Sequence, residues 1–336
     1  AIDQISNEKD IDKDVLLEAI EAALVSAYKK NFGTAQNVRV DIDRLTGTVK
    51  VYALRKVVDQ LEDEFLEIEL EEARRLDKNY KLNDFVEQEV TPKNFGRIAA
   101  QNAKQVVVQR IREAERSSIY EKFQEQENEV INGIVQRVEK RNVYVDLDKT
   151  EGLLPVSEQM PNEQYNVNDR IKVYITEVRK TTRGPQITLS RTHPDLVKRL
   201  FEIEVPEIMQ GDVIIKNIAR EAGSRTKLAV YSPDDRIDCV GACVGQRGNR
   251  VQQVVDELKG EKIDIIRWSD EPSEYISNAL SPSKVLDVYI NEEDKSAQII
   301  VPDDQLSLAI GKEGQNARLA AKLTGWRIDI KSESQI

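Results

Sequence analysis

Val244-Gly245-Gln246-Arg247-Gly248 recurs further along the chain as Ile310-Gly311-Lys312-Glu313-Gly314. A lone Gly-x-x-Gly match is cheap. Here the surroundings repeat as well. Each copy leads into an amphipathic run, Asn249 to Leu258 and Gln315 to Leu323. Each run ends near a glycine, Gly260 or Gly325, and then enters the same short strand, Lys262-Ile263-Asp264-Ile265 or Arg327-Ile328-Asp329-Ile330. Loop, helix and strand repeated in order mark a duplicated domain.

The loop chemistry says what such a domain binds. Glycine pairs let the backbone turn tightly and let another backbone come close. A helix starting just after the second glycine aims unpaired amides and a partial positive charge at the loop. A nucleic-acid phosphate fits there. Helix–GxxG–helix flanked by strands is the K-homology (KH) pattern, whose loop clamps the backbone of about four nucleotides. The candidate RNA-binding residues of the first copy are Gly245, Gln246, Arg247, Gly248, Asn249 and Arg250. Those of the second are Gly311, Lys312, Glu313, Gly314, Gln315, Asn316 and Arg318. Glu313 sets a negative charge beside the second site, which Lys312 offsets. The first loop is expected to hold phosphate at least as well.

Upstream of each loop the pattern is again shared. Asp195 to Phe201 and Glu271 to Ala279 read as helices. Asp212 to Ile218 with Lys227 to Ser232, and Val285 to Ile290 with Ala297 to Val301, read as strand pairs. Strands close each copy at Lys262 to Trp268 and Trp326 to Lys331. The order α-β-β-α-α-β is that of bacterial, type II KH domains.

Residues 129–192 change period. Strands are expected at Gly133 to Val138, Val143 to Leu147, Glu151 to Ser157, Arg170 to Val178 and Ile187 to Ser190, with Ile171, Val173 and Ile175 inward. Five short strands split by turn residues suggest a small β-barrel. Its candidate RNA contacts are Arg137, Lys140, Arg141 and Tyr144. Tyr144 either stacks on a base, worth about 1–3 kcal/mol, or packs as an ordinary half-buried strand residue.

The N-terminal part is of another kind. Asp12 can cap a helix whose apolar stripe runs Val15, Leu16, Ala19, Ile20, Ala23, Leu24 and Ala27, and Lys29 and Lys30 precede Gly33. A hairpin turns at Thr46-Gly47, and Leu66, Ile68 and Leu70 alternate like a strand, as do Val86 to Val90. From about Asn94 to Gln126 a long helix is expected, spanning about 50 Å as a rigid spacer. Its face carrying Arg97, Lys104, Arg110, Arg112 and Arg116 is either solvated or meets a partner.

Bulk composition narrows the function. The 336 residues carry a net charge of −11, with 32% charged and 5% aromatic side chains. That disfavours an indiscriminate nucleic-acid binder, but local basic patches remain compatible with RNA. No apolar run approaches the ~20 residues needed to cross a bilayer, and no secretory signal pattern opens the chain. A cytosolic protein without membrane contact is expected. Cys239 and Cys243 have a single histidine, His193, to accompany them. No zinc set, other metal site or cofactor is expected, and His193 reads as a structural linker residue. No phosphate-loop lysine motif or nucleophile–base pair argues for an enzyme, so no catalytic residue is assigned.

The barrel resembles an S1 domain, on Gly133 and Val135, Tyr144-Val145, Glu151-Gly152-Leu153-Leu154 and Ile187-x-Leu189-Ser190. The whole chain resembles the NusA family of bacterial transcription factors. Further residues carry this resemblance: Arg97-Ile98-Ala99-Ala100-Gln101, Arg191-Thr192-His193-Pro194, Phe201-Glu202-Ile203-Glu204-Val205-Pro206-Glu207 and Leu308-Ala309-Ile310-Gly311. It implies a multidomain α+β chain. An α+β head with a long connecting helix spans 1–128, an S1 (OB-fold) β-barrel 129–194, and two tandem type II KH domains 195–270 and 271–336.

The resemblance also implies a role. The head would dock on RNA polymerase at the β-subunit flap tip near the RNA exit channel. The tail would contact nascent single-stranded and hairpin RNA. Together they would regulate pausing, intrinsic termination and antitermination, alongside other antitermination factors. A monomer is expected. Within the head, the acidic stretch Glu62 to Glu72 and the helix Asp12 to Tyr28 are both candidates for the polymerase contact. S1 domains that bind single strands strongly offer two surface aromatics and often a histidine; Arg141, Tyr144 and Pro155 stand at those places here, and only Tyr144 can stack, so this barrel is expected to be a weak, electrostatic contact. The acidic repeats that some members carry after the second KH domain are not expected in this chain. An RNA-decay enzyme would place its KH and S1 modules in the reverse order behind a phosphorolytic core. A translation-side RNA chaperone would favour a more basic, more aromatic chain.

Overall fold

In the computed structural model, residues 2–9, 11–33 and 37–335 are described. The chain divides into two compact units, Ala1–Ser118 and Ile119–Ile336.

In the first unit, α1 (Ile2–Lys9) precedes α2 (Lys13–Phe32). The Asp12 carboxylate accepts from the Asp14 and Val15 amides, and Gly33, at φ 58°, ends α2 by donating its N–H to Lys29. Asp12 therefore starts the helix as its sequence predicts. The helix α1 has too few apolar residues for its sequence to show a helical period. Strands β1 (Asn37–Ile42) and β2 (Val49–Val58) pair antiparallel. Val38, Val40 and Ile42 face Leu17, Ile20 and Leu24 of α2 in one core. The predicted alternation at Leu66, Ile68 and Leu70 yields only the three-residue strand β3 (Glu67–Glu69), parallel to β2. Leu70 instead opens α3 (Leu70–Leu76), whose first turn carries Glu71 and Glu72, where the helix dipole favours carboxylates. Strand β4 (Phe85–Glu89) completes the sheet against β2.

The helix α4 (Phe95–Gln124) has 30 residues, about 45 Å of rise. Phe95, Ala99 and Val107 join the core of the first unit. Near its end, Phe123 joins the core of the barrel, with Ile119 and Tyr120 packed beside it.

The second unit begins with the barrel. Strands β5 (Val130–Glu139), β6 (Asn142–Asp146), β7 (Glu151–Leu154), β8 (Arg170–Thr181) and β9 (Gly184–Ser190) close in the order β5-β6-β7-β9-β8. Ile171, Val173 and Ile175 point inward as their alternation predicts. The first KH domain follows as α5 (Pro194–Glu204), α6 (Pro206–Met209), β10 (Ile214–Glu221), β11 (Arg225–Tyr231), α7 (Cys239–Val244), α8 (Asn249–Glu257) and β12 (Lys262–Arg267). The second repeats it as α9 (Pro272–Ala279), β13 (Asp287–Asn291), β14 (Ser296–Val301), α10 (Leu306–Ile310), α11 (Gln315–Thr324) and β15 (Arg327–Ser332). In each, the middle strand pairs antiparallel with the first and parallel with the last.

Barrel and KH domains share cores. Met160 and Tyr174 of the barrel pack with Leu196, Val197, Leu200 and Phe201 of α5. Arg191, wholly buried, ties the same joint. It is paired with Glu163 of the barrel and donates to the Glu257 carboxylate of α8 at 3.2 Å, and to the Lys172 and Glu257 carbonyls at 2.7 and 2.9 Å. In the first KH domain, buried Arg220 grips Glu261 through two 2.9 Å bonds. Between the KH domains, Ala219, Ala229 and Ile266 of the first sheet pack against Ile276, Ala279, Leu319 and Ala320.

His193 takes the structural role its sequence predicts. Its Nδ1 accepts from the Asp195 amide at 3.1 Å, capping α5, and its ring stacks on Tyr174 with centroids 4.6 Å apart. Cys239 and Cys243 are buried free thiols, and burial pushes Cys243 up to about 12, far from the reactive thiolate range.

Candidate nucleic-acid interface

The two Gly-x-x-Gly loops are built alike. Gly245 has φ 75°, ψ 176°, and Gly311 has φ 77°, ψ 168°. That region of backbone space is essentially open to glycine alone. Next comes one 3₁₀ turn, Gln246–Gly248 or Lys312–Gly314, whose middle residue is left-handed: Arg247 at φ 53°, Glu313 at φ 54°. Gly248 and Gly314 then cap the following helix at φ 77° and 73°.

The glycines differ in what surrounds them. A Cβ on Gly245 would run into the side chains of Asn249 and Arg250, and one on Gly311 into Asn316. The first glycine is thus needed by the fold. A Cβ on Gly248 would meet nothing within 4 Å, and one on Gly314 only Arg318 Nη1 at 4.0 Å. The second glycine opens to solvent at the start of a helix, where unpaired amides favour an anion.

Side chains divide the loops further. Gln246, Arg247 and Asn249 are exposed and make no side-chain hydrogen bond or ion pair among the described residues, so all three are available to a ligand. Arg250 is not. It donates to the Ala242 carbonyl at 2.7 Å and to Glu207 at 2.8 Å, fastening α8 to α7 and α6. In the second copy, Lys312 and Glu313 are exposed. Asn316, at the position matching Arg250, is buried and donates to the Ala309 and Leu280 carbonyls at 3.0 Å. Both were predicted to face RNA. The structure gives them to the scaffold that holds each loop. Gln315 and Arg318 are turned toward the first KH domain. Gln315 donates to Glu221 and Ser224 at 2.9 and 2.7 Å, and Arg318 to Glu221 at 2.6 Å.

On the barrel, Lys140 and Arg141 form the β5–β6 turn with φ of 49° and 68°, and both are exposed. Arg137 is less free than its sequence suggests. It chelates Glu151 through bonds of 2.5 and 3.0 Å and lies 3.7 Å over the Tyr144 ring. One face of Tyr144 is therefore covered by a cation.

Two participants escape sequence reasoning. Glu221 and Glu207 lie outside both loops, and only the packing brings them to the loop helices. Their carboxylates accept from Arg250 and Arg318, the arginines of the two loop helices. Glu221 is held below the usual carboxylate range, chiefly by its bond from Arg318. Among the described residues, no group of three or more His, Cys, Asp or Glu could hold a metal. No described helix is long and apolar enough to cross a membrane.

Comparison with known proteins agrees with this division. Family models match along the chain in order: the NusA N-terminal domain at 1–117, the S1 RNA binding domain at 124–190, the NusA-like first KH domain at 191–268 and the NusA-like second KH domain at 272–336. The transcription termination/antitermination protein NusA of Halalkalibacterium halodurans is 63% identical over 335 residues, covering 100% of this chain and 88% of that protein. The chain belongs to the NusA family. The Bacillus subtilis NusA protein is 62% identical, over 99% of this chain and 90% of that one. That of Mycobacterium tuberculosis H37Rv is 44% identical, over 99% and 92%. As a member of the NusA family, the chain is an RNA-binding transcription factor and not an enzyme.

Proposed function

We propose that this NusA-family chain is a polymerase-borne guide for nascent RNA. Its first unit anchors it to RNA polymerase at the β-subunit flap tip beside the exit channel. Its KH loops hold the emerging strand and so bias pausing, termination and antitermination. One observation carries the RNA part: two copies of one loop, with matching backbone angles, each open a glycine-lined helix N-terminus to solvent. In the first loop Gln246, Arg247 and Asn249 supply the contacts. In the second Lys312 leads. Lys140 and Arg141 add a weaker contact on the barrel, and the partly covered Tyr144 offers little stacking.

A groove of about 650 Å³ in the first unit supports the anchoring part. Leu17, Ile20, Leu24, Ala99 and Ala103 line it, and Leu45, 97% exposed, stands at its rim. The groove is also lined by Asp3, Lys13, Asp43 and Arg44, so it suits a protein segment that presents an apolar residue among charged ones. It adjoins α2, one of the two candidates in the head.

Phosphate-led binding has a measurable signature. Titration of an unstructured oligoribonucleotide at several salt concentrations should give log K falling linearly with log salt, by about 0.7 per phosphate contacted. With the cationic side chains Arg247, Lys312, Lys140 and Arg141, the summed slope should reach roughly −2 to −3. A flat response would remove the loops from the mechanism.

A further inference from the structure

The two loops share a backbone but not a charge environment, and the difference comes from the neighbouring domain. At the first loop, the Asn249 and Arg247 side chains have no hydrogen-bond or ion-pair partner among the described residues. The matching helix of the second loop is clamped. Glu221, at the end of β10 in the first KH domain, accepts from Arg318 Nε at 2.6 Å and from Gln315 Nε2 at 2.9 Å. The Arg318 guanidinium also donates Nη1 to the Glu313 carbonyl at 3.0 Å. That nitrogen lies 4.0 Å from the position of a Cβ on Gly314. Arg318, the second cation at this loop and the one beside Gly314, is therefore already paired with an internal carboxylate.

We infer that Glu221 is an intramolecular competitor of RNA phosphate at the second Gly-x-x-Gly loop, and that it sets that loop's affinity from the first KH domain. This rests on the reading of the loops as RNA sites. A carboxylate and a phosphate oxygen make the same charge-assisted bonds to a guanidinium, so Glu221 and a phosphate compete for the charge and the orientation of Arg318. The hydrogen bond from Arg318 keeps Glu221 below the usual carboxylate range, so the competitor stays charged. The pair is partly exposed, with side-chain accessibilities of 46% for Arg318 and 24% for Glu221. Its displacement is therefore affordable to a phosphate. Loading of the second loop breaks bonds that join the two KH domains, which makes RNA binding and the set of this joint reciprocal.

The test uses the full chain, an unstructured oligoribonucleotide and a salt series. Glu221→Gln keeps the side-chain shape but removes the charge. It should bind RNA about two- to five-fold tighter, the range expected on releasing a partly exposed ion pair. Its salt slope should steepen by about 0.7, one phosphate contact. Arg318→Gln alone should change little, and added to Glu221→Gln it should abolish the gain. Equal or weaker binding by Glu221→Gln, or a gain that survives the double change, overturns the inference. Gly248→Asp in the first loop serves as the control. If it binds RNA like the unmodified chain, the RNA reading itself fails. If it weakens binding while Glu221→Gln does nothing, only the role of Glu221 falls.

Discussion

Gly248→Asp should lower affinity for single-stranded RNA about ten-fold while leaving the chain folded. A Cβ at Gly248 meets nothing within 4 Å, and its φ of 77° lies in the left-handed region that aspartate tolerates better than most residues. The new carboxylate would sit at the start of α8, where phosphate is held. Two like charges about 4 Å apart repel by roughly 1 kcal/mol in water and roughly 4 at a protein surface. A ten-fold loss, about 1.4 kcal/mol, lies within that range. Gly248→Asn, nearly isosteric and neutral, should cost no more than about two- to three-fold, since no like-charge repulsion is added. Gly314→Asp should have a smaller effect than Gly248→Asp, because Glu221 already holds the arginine of that loop. Gly245→Asp behaves differently, because its side chain collides with Asn249 and Arg250. It should lower stability as well as binding. RNA titration beside a thermal melt separates the two cases. Equal losses for the Asn and Asp variants of Gly248 would show that charge is not the cause.

The second large effect concerns stability. Arg191→Met should destabilise the joint between barrel and KH domain by about 3–5 kcal/mol, because it leaves Glu163 a buried carboxylate without a countercharge, held only by the Tyr165 hydroxyl at 2.6 Å. Arg191 is wholly buried, its partner Glu163 is 3% exposed and Glu257 26%. The Lys172 and Glu257 carbonyls lose their donors as well. Adding Glu163→Gln to Arg191→Met should recover part of the loss, since the stranded charge is gone. Urea unfolding followed by the fluorescence of Trp268 and Trp326, both in the KH domains, reports it. A loss below about 1 kcal/mol would mean that water reaches the joint and screens the charge.

Periodic features were legible in the sequence. The duplicated loops, the Asp12 cap, the Gly33 stop, the inward alternation of Ile171, Val173 and Ile175 and the α-β-β-α-α-β order all rest on local patterns, and the structure has each of them. Features that depend on packing were not legible. Leu66, Ile68 and Leu70 alternate like a strand, yet the acidic pair after Leu70 starts a helix there. Arg250 and Asn316 occupy the same loop-proximal position and look like RNA contacts, yet both turn back to carbonyls of the preceding helix. Arg137 looks like a free cation until Glu151, fourteen positions away, claims it. Several residues named from the motif alone are therefore engaged within the protein itself. The carboxylates that hold Arg250 and Arg318, Glu207 and Glu221, lie outside both loops and are brought there only by packing.

The anchoring of the chain is tested most directly on core RNA polymerase. The full chain and residues 119–336, which form a compact unit of their own, would be mixed separately with the bacterial enzyme and analysed by size-exclusion chromatography. The full chain should co-elute near stoichiometrically. Residues 119–336, folded by circular dichroism and still binding RNA, should not. Equal co-elution of both, or of neither, would contradict the proposal that the first unit is the anchor and the loops are its RNA guide.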